Sequence, residues 1–143
     1  MPSLPLTEPE IDAFLAAFES GTLPKERWTH SAHLFTGACY VHMLGSDLAI
    51  QQMRVCIKRH NESVGTANTD TGGYHETITI AWIKLLNRLL RESSPLERAD
   101  FARLAVERFA SDREIFRRYY DFDLVKSVDA RRAWIPPTLA SFD

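Results

Sequence analysis

The 143-residue chain holds two cysteines, six glycines and no long alternation of polar with apolar residues. Each scarcity excludes something. Cys39 and Cys56 cannot build a disulfide scaffold, and both fall in helix-patterned segments, where buried reduced thiols are expected. With 45% apolar residues and only six Gly and seven Pro, the chain is neither collagen-like nor disordered. The longest apolar runs are a few residues, against the roughly 20 that a membrane span needs, so no membrane partner is expected. The opening Met1-Pro2-Ser3-Leu4-Pro5-Leu6 has neither a basic n-region nor an apolar h-region. No signal peptide is therefore expected, and a cytoplasmic location follows from that and from the thiols. Charge of one sign is also lacking. Residues 1–84 carry six basic and nine acidic side chains, and residues 85–143 carry eleven and ten, for a formal net charge of −2. Neither half is basic enough for a phosphate backbone, so nucleic acid is not an expected partner. No GxGxxG, Walker loop or Cys-pair motif points to a nucleotide or a structural zinc.

What the chain does have is helical periodicity. Thr7-Glu8-Pro9-Glu10 reads as a capping box ahead of an Ile11, Phe14, Leu15, Phe18 stripe that Gly21 ends. Thr29 is placed to cap a second helix running to Leu44 and closed by Gly45. A third starts at Ser46 or Asp47, with Leu48, Met53, Val55 and Ile57 on its buried side, and ends near Gly65. A polar stretch, residues 66–73, precedes a fourth helix from about His75 to Arg91. That helix is apolar around much of its circumference and is expected to be the central one. Ser94-Pro95-Leu96-Glu97 signals a fifth start, and Asp112 is placed to cap a short sixth through Phe116 and Tyr119. The tail Trp134-Ile135-Pro136-Pro137 is expected to pack back on the rest. The expected fold is all-α: residues 1–143 as a single domain, an irregular bundle of five or six helices.

Two segments concentrate chemistry. In Trp28-Thr29-His30-Ser31-Ala32-His33, the histidines lie three apart and share a helix face, with Gly37 one turn beyond His33. Read blandly, these are a solvent-facing residue, a hydrogen-bonded core histidine and a packing contact. The second segment, Asn68 to Thr77, runs a polar loop into a helix N-terminus. Free N–H groups and the positive helix end favour an ionised Glu76 and a neutral His75. The bland reading makes it a capping loop, with Asp70 or Thr71 as the cap. Together they suggest His75 and Glu76 as catalytic residues and Trp28, Thr29, Asn68, Asp70, Thr71 and Tyr74 as ligand-binding ones. His30, His33 and His75 form a candidate ligand set for zinc or a similar divalent metal with an open position. Metal-free acid–base work needs the same residues. His42 lies about half a turn away from His33, His60 reads as a surface residue near a helix end, and Arg113, Arg117 and Arg118 read as a solvated, salt-bridged face.

The Trp28–Leu34 segment, Asn61, the string Asn68-Thr69-Asp70-Thr71-Gly72-Gly73-Tyr74-His75-Glu76-Thr77 and the Arg131-Arg132-Ala133-Trp134 tail resemble a family of small bacterial all-α proteins of uncharacterised function. The resemblance covers nearly the whole chain. It implies that Trp28, His30, His33, Tyr74, His75 and Glu76 belong to one site, and it implies no particular reaction. Three classes of function stay open: a small enzyme acting on a small polar or anionic substrate, with or without a divalent metal; a non-catalytic small-molecule-binding or sensing module using the same pocket; and a structural or interaction protein.

Overall fold

A computed structural model describes residues 3–143. It is an all-α bundle of six helices: α1 (Glu8–Ser20), α2 (His30–Leu44), α3 (Ser46–Ser63), α4 (Glu76–Glu92), α5 (Arg98–Phe109) and α6 (Val128–Arg132), with 3₁₀ turns at Lys25–Arg27 and Ile115–Arg118. None of the described helices is long and apolar enough to cross a membrane.

Several helix ends follow from local chemistry. Thr7 Oγ1 accepts from the Glu10 amide and donates to the Glu10 carboxylate, which is the capping box. Gly21 closes α1 in the left-handed region, where a Cβ would be strained. Thr29 Oγ1 accepts from the Ala32 amide at 3.1 Å and starts α2. Gly45 serves as the last cap of α2 and the first of α3. Two expected starts differ. α5 begins at Arg98 rather than at Pro95, with Glu97 as its cap, and the segment after Asp112 is a 3₁₀ turn rather than a helix.

The core is arranged around α2. Every residue from Leu34 to Val41 is buried, because α3, α4 and α5 pack around this helix. The expectation that α4 is central is therefore corrected: α4 keeps a partly wet face, and α2 is enclosed along its middle, from Leu34 to Val41. Gly37 is one reason the two can meet, since a Cβ there would lie 3.0 Å from Leu86 Cδ1 and 3.4 Å from Ile83 Cδ1 on α4. On α3 the buried stripe is Ala49, Met53, Cys56, Ile57 and His60. Leu48 and Val55, expected inside, are 53% and 51% exposed, and they lie roughly 125–145° around the helix from the centre of that stripe. Cys39 and Cys56 are buried free thiols.

The chain after α5 folds back over α4. Thr77 Oγ1 donates to the Ala133 carbonyl at 2.8 Å and accepts from the Ile135 amide at 3.0 Å. Arg88 donates to the Tyr119 hydroxyl at 2.7 Å and to the Phe142 carbonyl, while Tyr119 stacks on Phe142 with centroids 4.4 Å apart. The Thr77 bonds hold the C-terminal segment against the first turn of α4, beside the residues that make the site, and the Arg88 bonds hold it three turns further along the helix.

Candidate functional site

The loop between α3 and α4 is built by its own polar residues. Asn68 is its hub. Its Oδ1 accepts from the Tyr74 amide and from Asn61 Nδ2, both at 3.0 Å, and its Nδ2 donates to the Lys58 carbonyl. Thr69 Oγ1 accepts from the amides of Thr71 and Gly72. Gly73 sits at φ +77°, and a Cβ there would come within 2.5 Å of the Ala67 carbonyl oxygen and 2.7 Å of Asn68 Oδ1. Only glycine fits. Arg131 of α6 donates to the Gly73 carbonyl at 2.8 Å, and Arg132 pairs with Asp70 on the surface. Asn68, expected to bind ligand, also builds the loop, Asp70 pairs with Arg132, Thr71 bonds Thr69 through its amide, and Thr29 is occupied as the cap of α2.

His75, not Asp70 or Thr71, caps α4. Its Nδ1 accepts from the Ile78 amide at 3.1 Å and its Nε2 bonds the Leu124 carbonyl at 2.9 Å. This pair of bonds sets the proton on Nε2 and uses both nitrogens. Burial lowers the His75 pKa, against the Leu124 bond that raises it and with Arg131 nearby adding to the fall. Glu76 points elsewhere. It makes a two-pronged ion pair with Arg54, through Nε at 3.0 Å and the terminal nitrogen at 2.9 Å, and accepts from the Tyr74 hydroxyl at 2.5 Å. Burial opposes its charge, but the Arg54 and Tyr74 hydrogen bonds outweigh it and the net shift is downward.

The single expected site is therefore two. An inner pocket of about 250 Å³ lies between α2, α3 and α4 and is lined by Trp28, His33, Tyr74 and His75 together with Asn61, Thr79, Trp82 and aliphatic side chains. An outer cleft of about 340 Å³ takes Glu76, Asn68, Asp70 and Arg54, and Tyr74 borders both. A larger, open concavity of about 680 Å³ lies around Arg113 and Arg117. Its charges are of both signs, and Arg117 in its lining pairs with Glu114 at 2.6 Å. It is a solvated surface rather than a built site.

In the inner pocket, Trp28 stacks on Phe18 with centroids 4.3 Å apart and lies 4.0 Å from the His33 ring. Neither ring nitrogen of His33 bonds another described residue. Burial first, then the neighbouring His30 and His60, lowers its pKa to about 3, so the ring is neutral near pH 7. His30 is half-buried against Trp82, with centroids 5.8 Å apart, and does not line the pocket. Its pKa is lowered by burial and by Arg113. His30, His33 and His75 do not form the expected metal-ligand set: among the described residues, no three His, Cys, Asp or Glu side chains are grouped to hold a metal ion.

The reading of His60 as a surface residue is corrected. It is 1% exposed, bonds the Leu23 carbonyl through Nε2 at 3.2 Å, and lies 5.5 Å from the Trp28 ring. The signal was its spacing, since residues 49, 53, 56 and 60 form one helical stripe. His60 Nδ1, His30 Nε2 and Trp28 Nε1 are buried without a partner among the described residues. All three belong to rings in or just behind the pocket wall. No protein-family model matches the chain, and neither a curated protein nor a solved structure does.

Proposed function

We propose that the chain is a binding protein for a small, uncharged, mostly apolar molecule, held in the inner pocket by a hydrogen bond to His33. One observation carries this reading. A neutral imidazole with both nitrogens unshared stands in a preformed pocket whose other walls are largely Trp, Leu, Ile and Met. Apolar walls with a few convergent polar groups are the usual composition of a small-molecule site.

Acid–base catalysis has less support. A general base works best with a pKa near the working pH, whereas His33 is lowered to about 3. The only lone pair of His75 accepts from the Ile78 amide. Glu76 lies in the outer cleft, paired with Arg54. An anionic substrate is also disfavoured in the inner pocket, because no Lys or Arg lines it among the described residues and an unpaired buried charge is expensive.

The test is ligand-induced stabilisation with toluene, since an apolar cavity takes apolar probes of its own size. Toluene at saturating concentration is expected to raise the Tm of the wild type and to leave that of Ile78→Trp, which fills the pocket, unchanged. Equal shifts in the two proteins, or none in the wild type, would overturn the reading.

A further inference from the structure

We infer that the ligand is a flat, uncharged system of one or two rings that carries a hydrogen-bonding heteroatom, an inference that rests on the binding role proposed above. The shape comes from the walls. Phe18, Trp28 and His33 form a run of three flat rings at 4.3 and 4.0 Å spacings. Phe18 and His33 both pack on the Trp28 indole; Phe18 is fully buried, and the Trp28 and His33 rings are the members of the run that line the pocket. A second indole, Trp82, lines the same pocket and is braced edge-on by Phe109 at 5.6 Å and Phe116 at 5.0 Å. Two braced indoles and an imidazole leave little freedom to close around a bulky saturated body. A flat ring extends the existing run and gains from each π face it meets.

The polarity comes from counting what remains unused. Tyr74 gives its hydroxyl proton to Glu76, Thr79 gives its own to the His75 carbonyl, and His75 has both nitrogens engaged. The groups left to meet a ligand are the His33 nitrogens, the unpartnered Trp28 indole N–H and the part of the Asn61 amide not bonded to Asn68. A neutral imidazole donates from one nitrogen and accepts at the other, so it serves a ring N–H, a ring nitrogen or a phenol hydroxyl equally well. No Asp, Glu, Lys or Arg lines the pocket among the described residues. A charged ring would therefore enter without a counter-ion. Size sets the upper limit. An apolar cavity of roughly 150 Å³ holds benzene, so the volume of about 250 Å³ holds one ring or a fused pair.

The experiment is calorimetric titration of the full chain with four probes of similar size: indole, indene, cyclooctanol and indole-2-carboxylate. Indole is expected to bind most tightly. Indene, the same shape without the N–H, and cyclooctanol, which is not flat, are each expected to bind on the order of tenfold more weakly. The carboxylate is expected not to bind. His33→Phe keeps a flat ring beside Trp28 and is expected to bring indole and indene within about twofold of each other. Cyclooctanol or the carboxylate binding as tightly as indole, or indene equalling indole in the wild type, would overturn the ring inference. Provided Ile78→Trp still blocked binding, cyclooctanol equalling indole would leave the binding reading standing, whereas tight binding of the carboxylate or of indene would also overturn the uncharged, His33-bonded ligand on which it rests. Binding of none of the four, or undiminished binding in both Ile78→Trp and a second filling variant, Ile57→Trp, with wild-type helicity, would overturn both.

Discussion

Acidification tests how His33 is held. Its pKa is lowered to about 3 in the folded protein, by burial first and then by His30 and His60, against roughly 6.5 in an unfolded chain. Above pH 6.5 neither state carries the proton. Between there and about pH 3, the unfolded chain binds one proton more than the folded one. Stability that is fully present above pH 6.5 is therefore lost as the pH falls through that window. Each unit of pH removes about 1.4 kcal/mol per proton, so at pH 5 His33 alone takes away about 2 kcal/mol. That is a large part of a total of roughly 5–15 kcal/mol. His30, His60 and His75 are shifted in the same direction, so the whole protein loses more. The assay is urea unfolding at pH 7.5, 6 and 5 for the wild type and His33→Phe, in which the new ring keeps its place beside Trp28. The wild type is expected to lose about 2 kcal/mol more than the variant between the extremes. Glu76, whose pKa is lowered, gives stability that is lost only below its unfolded pKa. That lies below the pH range of the assay, and the loss is common to both proteins. The same decline in both would refute a His33 held neutral by its surroundings.

Three further outcomes follow from the loop and the cap. His75→Ala removes the acceptor for the Ile78 amide and the bond to Leu124, and is expected to lower stability by about 1–2 kcal/mol in urea unfolding. Gly73→Ala forces a Cβ onto the Ala67 carbonyl and strains a positive φ. A loss above about 1–2 kcal/mol and faster amide exchange in residues 66–74 are expected, and wild-type exchange would count against the loop geometry. Arg132→Ala deletes an exposed pair with Asp70 and is expected to leave the urea-unfolding midpoint essentially unchanged, because water and salt screen such a pair.

Helicity and most caps were legible because they depend on residues within a turn of one another. Thr7 with Glu10, Gly21, Thr29 and Gly45 act through bonds that span three or four positions. The two chemical segments, around Trp28 and around His75, were legible as polar insertions beside apolar helices. Their division into a pocket and a cleft was not. Glu76 turned outward because Arg54 on α3 was there to pair with it, and His75 became a cap because the Leu124 carbonyl, 49 positions away, was there to take its second nitrogen.

The sequence by itself determined the all-α class, the capped ends and the clustering of imidazoles with polar loop residues, since local hydrogen bonding and helical period set these. Tertiary packing decided between two apolar sides of α3, burying the stripe that ends in His60 and leaving Leu48 and Val55 in water. It also decided that α2 rather than α4 is enclosed, and that His33 stands neutral and unshared beside Trp28. The physical reason is that burial, and with it the charge state of an imidazole, belongs to the neighbours that packing brings together. Those neighbours come from α1, α3, α5 and the C-terminal segment, and no period along α2 or α4 records them.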